Sequence, residues 1–159
     1  MNNTELINDC IKGTIERAVY ESLACLVIIL CNAYSLQRGA VGTARFYGCL
    51  FSIVACVFIV GVVWSFALSR RLLNVHPPTD HVFWRKTFLN QARFIRLAPA
   101  WNFAPVGAGF LLFCAPTSRG QIFVFIGPVI VLTAAFTYTI WISRNAAAAI
   151  EEAAETLTD

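Results

Sequence analysis

Apolar positions in this chain gather into four long runs, 18–36, 46–68, 97–116 and 122–142, separated by two short breaks and one long basic connection. Crossing a hydrocarbon core of about 30 Å takes about 20 helical residues at about 1.5 Å each, and each run is about long enough. An unpaired backbone group in lipid is costly, so helices rather than open strands are expected to carry all four. The second run is the cleanest. The first has Glu21 one turn inside its start, the third contains Pro99 and Pro105, and the fourth contains Gly127-Pro128. The fold class this pattern predicts is an all-α integral membrane protein with four transmembrane helices. A short cytoplasmic interfacial helix is expected between spans two and three, with residues 1–159 forming a single membrane domain.

Composition agrees with the pattern. Hydrophobic residues make up 58% of the chain and charged residues 13%, against about a quarter charged in soluble domains. With four spans, the segments 1–17, 69–96 and 143–159 share one side and hold nine basic residues: Lys12, Arg17, Arg70, Arg71, Arg85, Lys86, Arg93, Arg96 and Arg144. The other side holds Arg38, Arg45 and Arg119. That asymmetry places both termini and the long connection of this multi-pass chain in the cytoplasm.

Within the connection, residues 82–96 change character across a helical wheel. Arg85, Lys86, Arg93 and Arg96 fall within about a 100° arc, while Trp84, Phe88, Ala92 and Ile95 gather beside it. Such a helix is expected to lie in the membrane surface, with aromatics in the acyl boundary and cations toward anionic headgroups. The lipid-interface residues are then Trp84, Arg85, Lys86, Phe88, Arg93, Arg96 and Trp101, the last at headgroup depth where Pro99 bends the chain into the bilayer. Thr79 or Asp80, after His76-Pro77-Pro78, can cap its start. The alternative is a solvated basic loop that only sets orientation.

Small residues recur every fourth position as Gly48, Ser52 and Cys56, as Gly61, Ser65 and Ser69, and as Ala100, Ala104 and Ala108. Such strips let helices approach closely in lipid, within the bundle or against another protein, and the intramolecular use is the expectation. The termini add two short apolar seams. One is Leu6, Ile7, Ile11 and Ile15; the other is Ile150, Ala153 or Ala154, and Leu157. They can pair with each other, with the basic connection or with a partner, or remain solvated.

Candidate chemistry is sparse. Cys25, Cys31, Cys49, Cys56 and Cys114 lie in spans, Cys10 stands apart, and no Cys-x-x-Cys occurs, so packing rather than redox or metal binding is expected. His76, Asp80 and His81 in HPPTDH offer a conceivable metal site, but a turn and cap is the simpler reading. No metal, cofactor or nucleic-acid partner is expected. A transporter reading rests on Glu21, with Asn32 and Asn102 as polar groups at depth; an Arg17–Glu21 pair at the interface is the alternative.

The stretch FWRKTFLNQARFIRLAPAWNFAPVGAGF at 83–110, followed by SRNAAAAIEEAAETL at 143–157, resembles a group of uncharacterised bacterial four-span inner-membrane proteins. In these, a polar N-terminal helix, two spans, a basic aromatic connection and two further spans lead to an Arg/Asn-led helical tail. Members are often predicted beside alternative sigma-factor genes, so the resemblance implies a regulatory or accessory role. This chain departs in its shorter N-terminal tail and its acidic, alanine-rich C-terminal one. The functional expectation is a non-enzymatic scaffold, accessory subunit or regulator acting through its cytoplasmic face, with the lipid bilayer and another membrane protein or a second copy as partners. The alternatives are a small transporter and a membrane-bound enzyme without recognisable motif.

Overall fold

In a computed structural model, which describes residues 3–38, 41–75, 81–116 and 122–156, every regular element is helical. The elements are α1 (Asn3–Arg38), α2 (Ala44–Val75), α3 (His81–Arg96), a single π-helical stretch (Pro99–Phe103), α4 (Ala104–Phe113) and α5 (Ile122–Thr156). By length and composition three helices can cross a membrane, within Ile11–Arg38, Ala44–Ser69 and Phe125–Thr156. Each of these helices outruns its apolar run. At about 1.5 Å per residue, the 36, 32 and 35 residues of α1, α2 and α5 reach on the order of 50 Å, well beyond a hydrocarbon core of about 30 Å. The terminal apolar seams therefore lie on helical continuations of the first and last spans.

The third apolar run differs from the single long helix expected of it. Leu97 is a turn, Pro99 lacks the N–H that would close an α-helical bond, and Ala104 donates its N–H to the Pro99 carbonyl five residues back. Ten residues of regular α4 follow, opening with Pro105. Two prolines six residues apart explain why this run breaks into pieces while α5 absorbs its one internal proline, Pro128, near its start.

α1 and α2 run antiparallel, as do α3 and the last turns of α5. α1 and α2 are joined around Gly42, whose φ of +88° suits glycine, and the Thr43 hydroxyl accepts a bond from the Phe46 N–H at 3.3 Å to cap α2. Along their shared seam Ala18 and Cys25 of α1 bury against Cys56, Ile59, Val63 and Ala67 of α2. The Trp64 indole N–H donates to Ser22 Oγ at 2.8 Å across it. On the other side of α2, Gly48 and Ser52 meet Gly109 of α4 almost backbone to backbone: a Cβ on Gly109 would stand 2.2 Å from Ser52 Oγ, and one on Gly48 would stand 2.4 Å from Phe113 N. The Gly48–Ser52–Cys56 strip thus serves the bundle. The other two strips do not: Gly61 has nothing within 4 Å of a built Cβ, and Ser65, Ser69, Ala100, Ala104 and Ala108 are exposed.

α5 packs unevenly. Between 125 and 142 no residue is buried, and its link to the rest there includes Phe103 against Phe136, with ring centroids 5.7 Å apart. Past Ile142 the picture reverses, with Ser143, Ala147 and Ala154 buried.

Candidate functional site at the polar end of the bundle

The end of the bundle farthest from Gly42 collects the first turns of α1, all of α3 and the last turns of α5. Trp84 and Phe88 are 5% and 3% exposed, buried with Ile11 and Ala154 and flanked by Ile15, Phe83 and Ile150. One and a half turns along α3, Ala92 and Ile95 bury against Ala147. The apolar face expected of α3 is therefore present on the residues anticipated. Its partner is different, because Trp84 and Phe88 are covered by the two terminal helices rather than by acyl chains. The two apolar seams of the chain ends are what cover them, through Ile11, Ile15, Ile150 and Ala154; the side chains of Leu6, Ile7 and Leu157 lie outside the described residues.

Polar groups tie the helices of this junction together. Gln91 Nε2 donates to Thr14 Oγ1 at 3.0 Å, tying α3 to α1 in a buried position. Arg96 donates from one Nη to both oxygens of Glu151, at 2.9 and 2.7 Å, tying α3 to α5 at the surface. Arg17 Nε donates to Glu21 Oε1 at 2.6 Å, which is the interface pair weighed for Glu21, while Glu21 Oε2 is buried and has no hydrogen-bond partner among the described residues. Aromatic contacts then lead toward the bilayer: Phe94 stacks on Phe66 of α2 at 4.2 Å and 6°, and Trp101 lies on Phe94 at 4.7 Å while donating its indole N–H to the Phe94 carbonyl.

The remaining expected interface residues separate into two groups. Arg85, Lys86 and Arg93 are exposed, together with Val82 and Leu89, and form the outward face of α3. Arg96 is committed to Glu151 and Trp101 is half-buried in the aromatic stack. The sequence pattern does not single out Thr14, Gln91 or Glu151 as site residues. Gln91 did carry a signal: on the wheel it falls next to Trp84 on the apolar side, where a polar group needs a partner. Glu151 carried none, because its partner is 55 residues away.

Among the described residues, two of the spaces between the helices bear on the site. One, of about 330 Å³, sits at this junction under Arg17, Gln91 and Phe88. The other, of about 410 Å³, lies among α1, α2, α4 and α5 with almost wholly apolar walls. The Asn32 amide beside it is spent on its own helix, donating to the Ile28 carbonyl at 2.8 Å. Among the described residues no group of three or more His, Cys, Asp or Glu can hold a metal ion; His76 and Asp80, and the side chain of His81, lie outside them. Compared with models of protein families, with curated proteins and with solved structures, the chain matches none, so the resemblance noted above rests on its order of parts alone.

Proposed function

We propose that this chain is a non-enzymatic four-span protein of the bacterial inner membrane, an accessory subunit, regulator or scaffold that works through a cytoplasmic helical junction. The observation that carries the reading is the interlocking of both chain ends with α3, which builds a helical platform beyond the apolar spans on the side holding nine of the basic residues. A protein that only needed to sit in the bilayer gains nothing from burying Trp84 and Phe88 outside it.

Four crossings are favoured by the path of residues 98–113. This stretch is helical throughout, spans about 24 Å at about 1.5 Å per residue, starts next to Phe94, which stacks on Phe66, and ends against Gly48. Phe66 and Gly48 lie five turns apart on α2, so the stretch traverses most of the same depth, and local thinning of the bilayer accommodates its shortness. Both termini then lie in the cytoplasm. In this reading α3 rests at the headgroups with Arg85, Lys86 and Arg93 toward anionic lipid, each worth about 1 kcal/mol near the surface, and Trp101 marks the same depth.

Two experiments test it. In a cysteine-free background, Thr43→Cys is expected to react with an impermeant maleimide added to intact cells and Thr156→Cys only after permeabilisation; external labelling of Thr156→Cys would overturn the topology. For the role, purification in mild detergent is expected to retain one partner at constant ratio, lost when Leu89 on the outward face of α3 becomes Glu. If no partner is held at constant ratio, the accessory reading is wrong. A small transporter is the second reading, favoured by the unpartnered Glu21 Oε2. It expects Glu21→Gln to abolish transport in reconstituted vesicles, while the accessory reading expects the partner to remain bound.

A further inference from the structure

The cavity of about 330 Å³ at the junction has two kinds of wall. Phe66, Phe88 and Phe94 line one part, and Thr14, Arg17 and Gln91 line another. Arg17 spends its Nε on Glu21, and among the described residues its Nη groups have no partner. A guanidinium with unused donors beside an aromatic pocket recognises one kind of molecule well, an anion attached to an apolar chain.

We propose that this cavity binds a single-chain anionic amphiphile drawn from the cytoplasmic leaflet, a fatty carboxylate, with its head on the Arg17 Nη groups and its chain among the three phenylalanines. Size fits the assignment: a dry apolar cavity of about 150 Å³ accepts benzene, so about twice that volume takes a chain of about a dozen atoms. Location fits too, because α1 passes from its polar turns into its apolar run at Arg17. Asp9 also borders the cavity, but it is exposed and lies two turns from Arg17, where solvent weakens its repulsion. Gln91 and Thr14 are engaged with each other and act as a polar wall rather than as the anchor. The cavity lies between the terminal helices and α3, so an occupant would bear directly on the platform assigned above; the binding itself stands whether or not that platform holds a partner.

The test uses the full chain in an uncharged maltoside detergent, titrated with laurate, with dodecanol and with acetate, and followed by native mass spectrometry and calorimetry. Laurate is expected to bind one to one and at least tenfold more tightly than dodecanol, with acetate not binding. The double variant Arg17→Gln/Glu21→Gln keeps a neutral hydrogen-bonding pair in place and is expected to erase the preference for laurate while leaving dodecanol unchanged. Ala153→Phe, which fills the cavity from α5, is expected to abolish both. Equal binding of laurate and dodecanol, or an unchanged preference in the double variant, would overturn the assignment of Arg17. Absence of any binding to the unaltered chain would mean that the cavity holds water only.

Discussion

At the polar end, Phe88 sinks to 3% exposure among side chains from three helices, whereas among the apolar spans the contact of Gly109 with Ser52 is nearly backbone on backbone. The contrast follows from the two solvents. Water drives large apolar groups together, at roughly 1.5–3 kcal/mol for a fully buried Phe or Leu side chain, so distant segments are gathered by bulky anchors. Lipid gives no such drive, because the tails are as apolar as leucine; helices there associate by close packing, which small residues permit. α5 experiences both regimes. It packs loosely from 125 to 142 and firmly from Ser143 onward, so the position of its span is set largely by what its extension grips past Ile142.

The most severe way to break this comparison is to remove an anchor. Phe88→Ala is expected to cost about 3–5 kcal/mol, as large aromatic truncations in cores do. Because the loss is confined to the junction, protease should cut α5 between Ser143 and Thr156 in the variant while the α1–α2 pair stays intact in the membrane. Leu89→Ala, one residue along and 37% exposed, is expected to leave the digest unchanged. If Phe88→Ala also releases the α1–α2 pair, the two regions are one cooperative unit.

Gly109→Val attacks the other region. The added Cβ meets Ser52 Oγ and, at 3.0 Å, its backbone nitrogen, so α2 and α4 must separate. Overpacking of this kind is expected to cost about 1–3 kcal/mol, read as a lower midpoint of unfolding in detergent. Gly61→Ala, with open space around it, is the control and is expected to fall within about 0.5 kcal/mol of the parent, as surface substitutions do. A matching loss in Gly61→Ala would mean that the outward strip is covered in the membrane, which would sharpen the search for a partner helix.

Polar ties rank below both. Gln91→Leu removes the buried Gln91–Thr14 bond and is expected to cost about 0.5–1.5 kcal/mol, less than the ring. Arg96→Gln removes a surface pair whose side chains are 49% and 35% exposed, and the expected loss is about 0.2–1 kcal/mol, shrinking further in added salt. A larger, salt-insensitive effect would show that Arg96 orients α3 and does more than brace α5.

Much of this molecule was legible in the order of its residues. Run length and composition were enough for an all-helical membrane protein, since length against hydrocarbon thickness is a local property of each segment. The wheel of α3 separated Trp84, Phe88, Ala92 and Ile95 from Arg85, Lys86 and Arg93 correctly, because helical periodicity is also local. The Arg17–Glu21 pair, one helical turn apart, was readable for the same reason. Only the tertiary structure decided what the apolar face of α3 touches. Lipid and protein are equally apolar partners for a ring, and the choice of Ile11 and Ala154 depends on chain ends brought together from opposite extremes of the sequence. It likewise decided which small-residue strip is used: Gly48 and Gly61 look alike in sequence, and only the crossing of α4 over α2 presses a neighbouring backbone against the first and leaves the second open.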